Sequence, residues 1–310
     1  MSERPLRAPV AFIIFNRPEV TARVFARIAK AKPTKLLVIA DGPRSGRDGE
    51  VERCKATRAI IERVDWKCEV LTNFSDVNLG CKNRVSSGLD WVFEQVSEAI
   101  ILEDDCLPHP TFFRFCEELL EQYRDDERIG MISGDNFQFG KSRTKASYYF
   151  SRYNHIWGWA SWKRAWQKYD RDLNLWPDTR NNNQFCTQFD NRTERKFWSN
   201  IFDKTHRGKI DTWDYQWTHA LWLNQMLTVL PDVNLVSNIG FGADATHTTK
   251  NSPIATMTAE PINFPLVHPE VISANAGADR FTFEHVIYRP VFKQLADFFI
   301  GKLKRHSAQQ

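Results

Sequence analysis

Three apolar residues, Ile100, Ile101 and Leu102, run directly into three carboxylates, Glu103, Asp104 and Asp105. A short apolar run without alternation reads as a strand buried on both faces, the habit of a parallel sheet. In open α/β sheets ligands gather beyond the carboxyl ends of such strands. The acids therefore stand where a ligand would be. Neighbouring carboxylates repel unless positive charge comes to them, and a hard divalent cation held by one or two carboxylates plus a ligand's phosphates answers that need. The same acids would also suit the first turn of a following helix, and the triplet alone leaves both readings open.

Around it the chain alternates strand and helix. Residues 10–15 (VAFIIF) and 35–40 (KLLVIA) are apolar runs that stop at Asn16-Arg17-Pro18 and Asp41-Gly42-Pro43. Pro18 suits the first turn of a helix over 19–30. Helices are predicted over 50–64 and 81–96, the latter with Val85, Leu89, Val92, Phe93 and Val96 at helical spacing. A weaker strand covers 67–72, a helix opened by Pro110 runs to Tyr123, and residues 129–133 form another strand. Four strand–helix repeats with short connections predict an α/β fold, a mostly parallel sheet flanked by helices. No GxGxxG follows the first strand, and Gly134…Gly140-Lys141-Ser142 has five residues where a phosphate-binding P-loop has four. Further on, the pattern predicts a strand over 148–151, a helix over 161–168 and a polar loop over 180–191. An aromatic helix through Trp217 and Trp222, a strand over 227–236, a loop over 238–250 and an irregular stretch over 251–278 follow.

Composition narrows the function. A net charge of +4 on 310 residues argues against a nucleic-acid partner. The six cysteines show no CxxC spacing and are expected to be reduced. With no signal-like or membrane-spanning apolar stretch, the expected location is cytoplasmic. Of eleven tryptophans, nine lie between Trp157 and Trp222, which marks a second functional region. Residues 289–306 carry Val291, Phe292, Leu295, Phe298, Phe299 and Leu303 at helical spacing beside Lys293, Lys302, Lys304 and Arg305. Such a helix either lies on the inner face of an anionic membrane or docks on the domain.

A strand that runs into Glu-Asp-Asp, preceded by Asn78-Leu79-Gly80 and a helix, resembles the GT-A fold of nucleotide-sugar glycosyltransferases. The likeness is nearest to the N-acetylglucosaminyltransferase I family. The matching residues are Arg17 in FNRPEV, Asp41 in VIADGP, Glu103-Asp104-Asp105, and Pro110-Thr111-Phe112-Phe113. Ser133–Asn136, the glycine-centred 157–166 stretch (WGWASWKRAW) and Trp213-Asp214 extend it over residues 8–250. The secretory anchor of that family and its C-terminal subdomain have no counterpart here.

The resemblance implies a nucleotide-sugar-binding half at 8–136, an acceptor and catalytic half at 137–250, and a C-terminal extension at 251–310. It implies transfer of a sugar from a UDP-sugar, with UDP-GlcNAc among the candidates, to a hydroxyl of a saccharide or lipid-linked saccharide, with inversion and with Mn²⁺ or Mg²⁺. By the family's pattern Asp105 holds the metal, while Glu103 and Asp104 contact sugar and ribose; His247 resembles the late histidine that completes the metal or diphosphate site, although a lone loop histidine also reads as a surface residue. Arg17 and Asp41, at the ends of neighbouring strands, would grip the nucleotide, although Asp41-Gly42-Pro43 also reads as a plain turn. An inverting enzyme needs a carboxylate to take the acceptor's proton. Asp214 and Asp211 are the candidates; Asp214 follows Trp213 as in the resembled pair, and Asp211 better suits a helix cap. Trp157, Trp159 and Trp213 are expected to offer faces to a sugar. A sugar-phosphate nucleotidyltransferase would carry a glycine-rich basic loop after the first strand, where this chain has Asn16-Arg17-Pro18. A carbohydrate-binding or interaction protein that has lost turnover is the alternative from another class.

Overall fold

The computed structural model describes residues 4–189, 191–240 and 253–288. Strands β1 (Val10–Ile14), β2 (Lys35–Ala40), β3 (Glu69–Phe74) and β4 (Glu98–Glu103) alternate with helices α1 (Pro18–Ala31), α2 (Glu50–Ala59) and α3 (Gly80–Gln95). After them come β5 (Cys106–Pro108), α4 (Pro110–Gln122), β6 (Ile129–Ser133), β7 (Tyr148–Ser151) and β8 (Trp159–Trp162). The short helices α5 (Lys163–Trp166), α6 (Trp176–Thr179) and α7 (Asn183–Cys186) lead to α8 (Arg192–His206) and α9 (Asp214–Leu223). Strands β9 (Leu227–Pro231) and β10 (Val236–Asn238) and helix α10 (Ala276–Thr282) follow, with 3₁₀ turns at Ile60–Arg63 and Pro253–Thr256 and a π-helical turn at Phe283–Ile287.

Eight strands form one sheet in the order β3-β2-β1-β4-β8-β6-β9-β7. The first four are mutually parallel, β8 runs antiparallel between β4 and β6, and β6 pairs parallel with β9. The architecture is the α/β, mostly parallel, helix-flanked sheet that the alternation predicts. Strands β1 and β2 are buried on both faces because each face carries its own core. One centres on Phe12, Val38, Ile100, Leu102 and the Phe112–Leu120 side of α4. The other centres on Ile13, Ile39, Ile101, Leu89 and the tryptophans of the C-terminal half.

Three local expectations are corrected. Residues 159–162 form a strand, and the helix expected over 161–168 is reduced to a single turn, Lys163–Trp166. The run at 227–236 divides into β9 and β10, and β10 pairs antiparallel with β5 in a separate two-stranded sheet. Helix α8, unassigned in the sequence, is capped by the Asn191 side chain, which accepts from the Glu194 N–H at 2.8 Å. Its Trp198 and Phe202 face the second core. Among the described residues no helix is long and apolar enough to cross a membrane. The proposed C-terminal helix at 289–306 lies outside the described residues.

Candidate functional site

The parallel register sets Ile13 of β1 against Glu103 of β4, so the chain leaving β1 and the acids leaving β4 emerge side by side. Arg17 donates from Nε to Asp104 Oδ2 at 3.4 Å and from Nη2 to Asp104 Oδ1. The same Nη2 stands 3.1 Å from Asp105 Oδ2. Asp104 is buried, whereas Glu103 and Asp105 are half-buried. Burial acts to lower the Arg17 pKa, but Asp104 and Asp105 outweigh it and hold the guanidinium above its ordinary value. Among the described residues no cationic side chain pairs with Glu103. Loss of solvation, then the charges of Asp105 and Asp104, push its carboxyl above the usual range against the pull of Arg17.

The backbone beyond β10 closes over this corner. Ile239 donates its N–H to the Asp105 carbonyl at 2.8 Å. At Gly240 a Cβ would collide with Asp105 Oδ2 and come within 2.8 Å of Arg17 Nη1. Only glycine lets the chain pass so close to the ion pair.

Asp41, at the end of β2, organises a loop. Its Oδ1 accepts the N–H groups of Gly42 and Leu79, each at 2.9 Å. Its Oδ2 accepts from Asn78 Nδ2 at 3.0 Å and from the Gly80 N–H at 3.2 Å. A carboxylate has about four acceptor positions, and all are filled by protein donors in this arrangement. Asp41 thereby fixes the Asn78–Gly80 turn that opens α3. Glu50, missed in the sequence, acts similarly one loop away. It accepts from Asn16 Nδ2 at 2.8 Å and from the Arg44 N–H at 2.6 Å, tying the end of β1 to the loop after β2. Its bonds with Arg44 lower its pKa to about 2. Glu50 reads in the sequence as an ordinary first-turn acid, because nothing local points to Asn16 or Arg44 as partners.

The two candidate bases differ in what they do. Asp211 is exposed and accepts the Lys82 N–H at 3.3 Å, capping α3 from a remote part of the chain. Asp214 is half-buried in the first turn of α9 and accepts from the Thr212 hydroxyl. Its charge is the weakest of those that act on Glu103. Cys81, in the first turn of α3, lies where these groups converge. Burial first, then the charges of Glu103, Asp214, Asp211 and Asp41, push its thiol up to about 12.

The tryptophans divide differently from expectation. Trp159 and Trp213 are 1% and 2% exposed and lie against each other inside the second core, with ring centroids 5.5 Å apart at 19°. Their faces are taken by protein, so the expectation that they stack on a sugar is corrected. Trp157 is half-buried and packs against the first core, its backbone N–H donated to Asp135 Oδ2 at 3.3 Å. Behind it lies a buried group that sequence reasoning passed over: His155 Nδ1 stands 3.1 Å from Asp135 Oδ1, and Phe137 stacks on the imidazole at 4.4 Å. Asp135 belongs to the Ser133–Asn136 segment already singled out; His155 had no signal beyond its nearness to Trp157.

Among the described residues no three His, Cys, Asp or Glu side chains group into a metal site of their own. Asp105, half-buried at the strand end beneath a glycine backbone, fits the other way of holding a hard dication, through one carboxylate and a ligand's phosphates. His247 lies outside the described residues.

Among solved structures, the chain is similar to one described as UDP-glucose pyrophosphorylase complexed with UDP-glucose, at 10% identity and a TM-score of 0.36, covering 73% of this chain and 90% of that one. No family model matches the chain, and no curated protein matches its sequence.

Proposed function

We propose that the chain is a metal-dependent glycosyltransferase that moves a sugar from a nucleoside-diphosphate donor, a UDP-sugar such as UDP-GlcNAc, to a hydroxyl of a saccharide or lipid-linked saccharide acceptor. What supports the reading is the acid triplet leaving β4 at the carboxyl end of a parallel sheet, with Arg17 paired to Asp104 and Asp105. Ligands of α/β sheets bind at that end.

In an inverting transfer the acceptor oxygen attacks the anomeric carbon from the side opposite the diphosphate. The bond from that carbon to the phosphate oxygen breaks as the new glycosidic bond forms. Asp214 takes the acceptor's proton, and the nucleoside diphosphate leaves with the bonding electron pair. Glu103 and Asp104 orient ribose and sugar, and Arg17 donates to the diphosphate. Asp41 serves the nucleotide through the Asn78–Gly80 turn that it holds in place. Asp105 and His247 would hold a Mn²⁺ or Mg²⁺ ion, which neutralises charge developing on the leaving diphosphate. His247 follows Gly240 by seven residues (247 − 240), at most about 25 Å of extended chain.

A thermal-shift panel of UDP-, GDP- and dTDP-sugars, each with Mn²⁺ and with chelator, tests the reading. A ligand present at about 100 times its Kd stabilises the folded state by about 2.7 kcal/mol. One nucleotide class should raise the melting temperature with Mn²⁺ and not with chelator. No shift with any nucleotide sugar would remove the basis for the assignment.

A further inference from the structure

Asp105 Oδ2, an oxygen of the acid assigned above to the metal, already faces a cation. Arg17 Nη2 stands 3.1 Å from it, and the Gly240 backbone packs against the same oxygen and the same guanidinium. Arg17 is held there from below. The buried Asp104 accepts from both its Nε and its Nη2, so the guanidinium is placed by the fold and does not wander in solvent. A dication brought to Asp105 alone would sit within a few ångströms of a fixed positive charge, and in a half-buried site that repulsion is weakly screened. A nucleoside diphosphate changes the balance. Its phosphate oxygens accept hydrogen bonds from a guanidinium and add negative charge between the two cations.

We infer that Arg17 is an internal counter-ion that makes divalent-cation binding at Asp105 conditional on the diphosphate. The inference rests on the metal-dependent reading above and adds a coupling to it: metal alone binds weakly, and nucleotide strengthens its binding. Coupling between two ligands is reciprocal, so the metal must strengthen nucleotide binding by the same factor as the nucleotide strengthens metal binding. Arg17 then has two successive partners. It holds Asp105 in the free protein and the phosphates in the complex, and Asp104 anchors it in both.

The experiment is Mn²⁺ binding to the full chain, read from the electron paramagnetic resonance of free Mn²⁺, without nucleotide and with UDP, corrected for Mn²⁺ held by UDP in solution. In the wild type UDP should raise Mn²⁺ affinity on the order of tenfold or more, within the usual range of coupling between sites. Arg17→Met, with folding checked by circular dichroism, should bind Mn²⁺ without UDP on the order of tenfold more tightly than the wild type, with the effect of UDP correspondingly reduced. A folded Arg17→Met protein whose UDP-free affinity equals that of the wild type overturns the inference. So does a wild type that binds Mn²⁺ equally with and without UDP, a comparison that stands even if the variant does not fold. Absence of Mn²⁺ binding under every condition, UDP included, overturns instead the metal-dependent reading, and the inference with it.

Discussion

Trp159 and Trp213 stack with ring centroids 5.5 Å apart at 19°, and this contact joins β8 to the residue that precedes Asp214. Trp159 on β8 pairs with Ile101 on β4, two residues before Glu103, while Trp213 immediately precedes Asp214. A buried aromatic pair thus ties the start of α9 to the central sheet. Trp213→Ala should cost about 3–5 kcal/mol of stability, the usual loss for truncating a buried tryptophan, and lower turnover as well because Asp214 loses its support. Trp157→Ala, at a half-buried position, should cost less stability than Trp213→Ala and act on acceptor KM. Urea unfolding curves and steady-state kinetics on both variants check this; a large stability loss at Trp157 would place its role in the core.

Asp214→Asn should reduce kcat by about 10²-fold or more with donor binding nearly unchanged, as loss of a general base requires. Asp211→Asn should behave as a weakened helix cap, costing about 0.5–2 kcal/mol, with kcat falling much less. Isothermal titration of the donor alongside turnover separates the two, and reversed behaviour would move the base to Asp211.

Glu50 gives a pH test of the loop scaffold. Its folded pKa lies near 2 because of Arg44, against 4.5 for an unperturbed glutamate. A depressed carboxylate pKa contributes stability that is fully present above the unfolded value and is lost as pH falls from about 4.5 to about 2. Glu50→Gln should therefore melt lower than wild type at neutral pH, and the two curves of melting temperature against pH should converge toward pH 2. Parallel curves through that window would contradict the pairing with Arg44.

Strands β1, β2 and β4 were legible because strands buried on both faces are continuous apolar runs, and their ends marked Arg17, Asp41 and the triplet. Strand β8 was not. Trp159, Trp162 and Trp166 recur at spacings of three and four, which imitates a helix face, while the partners that make residues 159–162 a strand lie at 98–101 and 132–133. Helix α8 did carry a signal, Asn191 followed three residues later by Glu194, a capping pattern. In the site, sequence order showed which acids end which strands. It did not show that Asp41 would be saturated by the 78–80 turn, or that Arg17 would bind the acids themselves, because those contacts arise only once parallel strands lie side by side.

The most direct test of the central claim is the identity of the nucleotide product. The chain, Mn²⁺, an acceptor mixture and the donor found by thermal shift are incubated and resolved by ion-exchange chromatography and phosphorus NMR. Glycosyl transfer breaks the bond between the anomeric carbon and the diphosphate, so nucleoside diphosphate should accumulate with the wild type, and Asp105→Ala should abolish it. Sugar 1-phosphate with nucleoside triphosphate on addition of pyrophosphate, or turnover that survives both chelator and Asp105→Ala, would contradict the assignment.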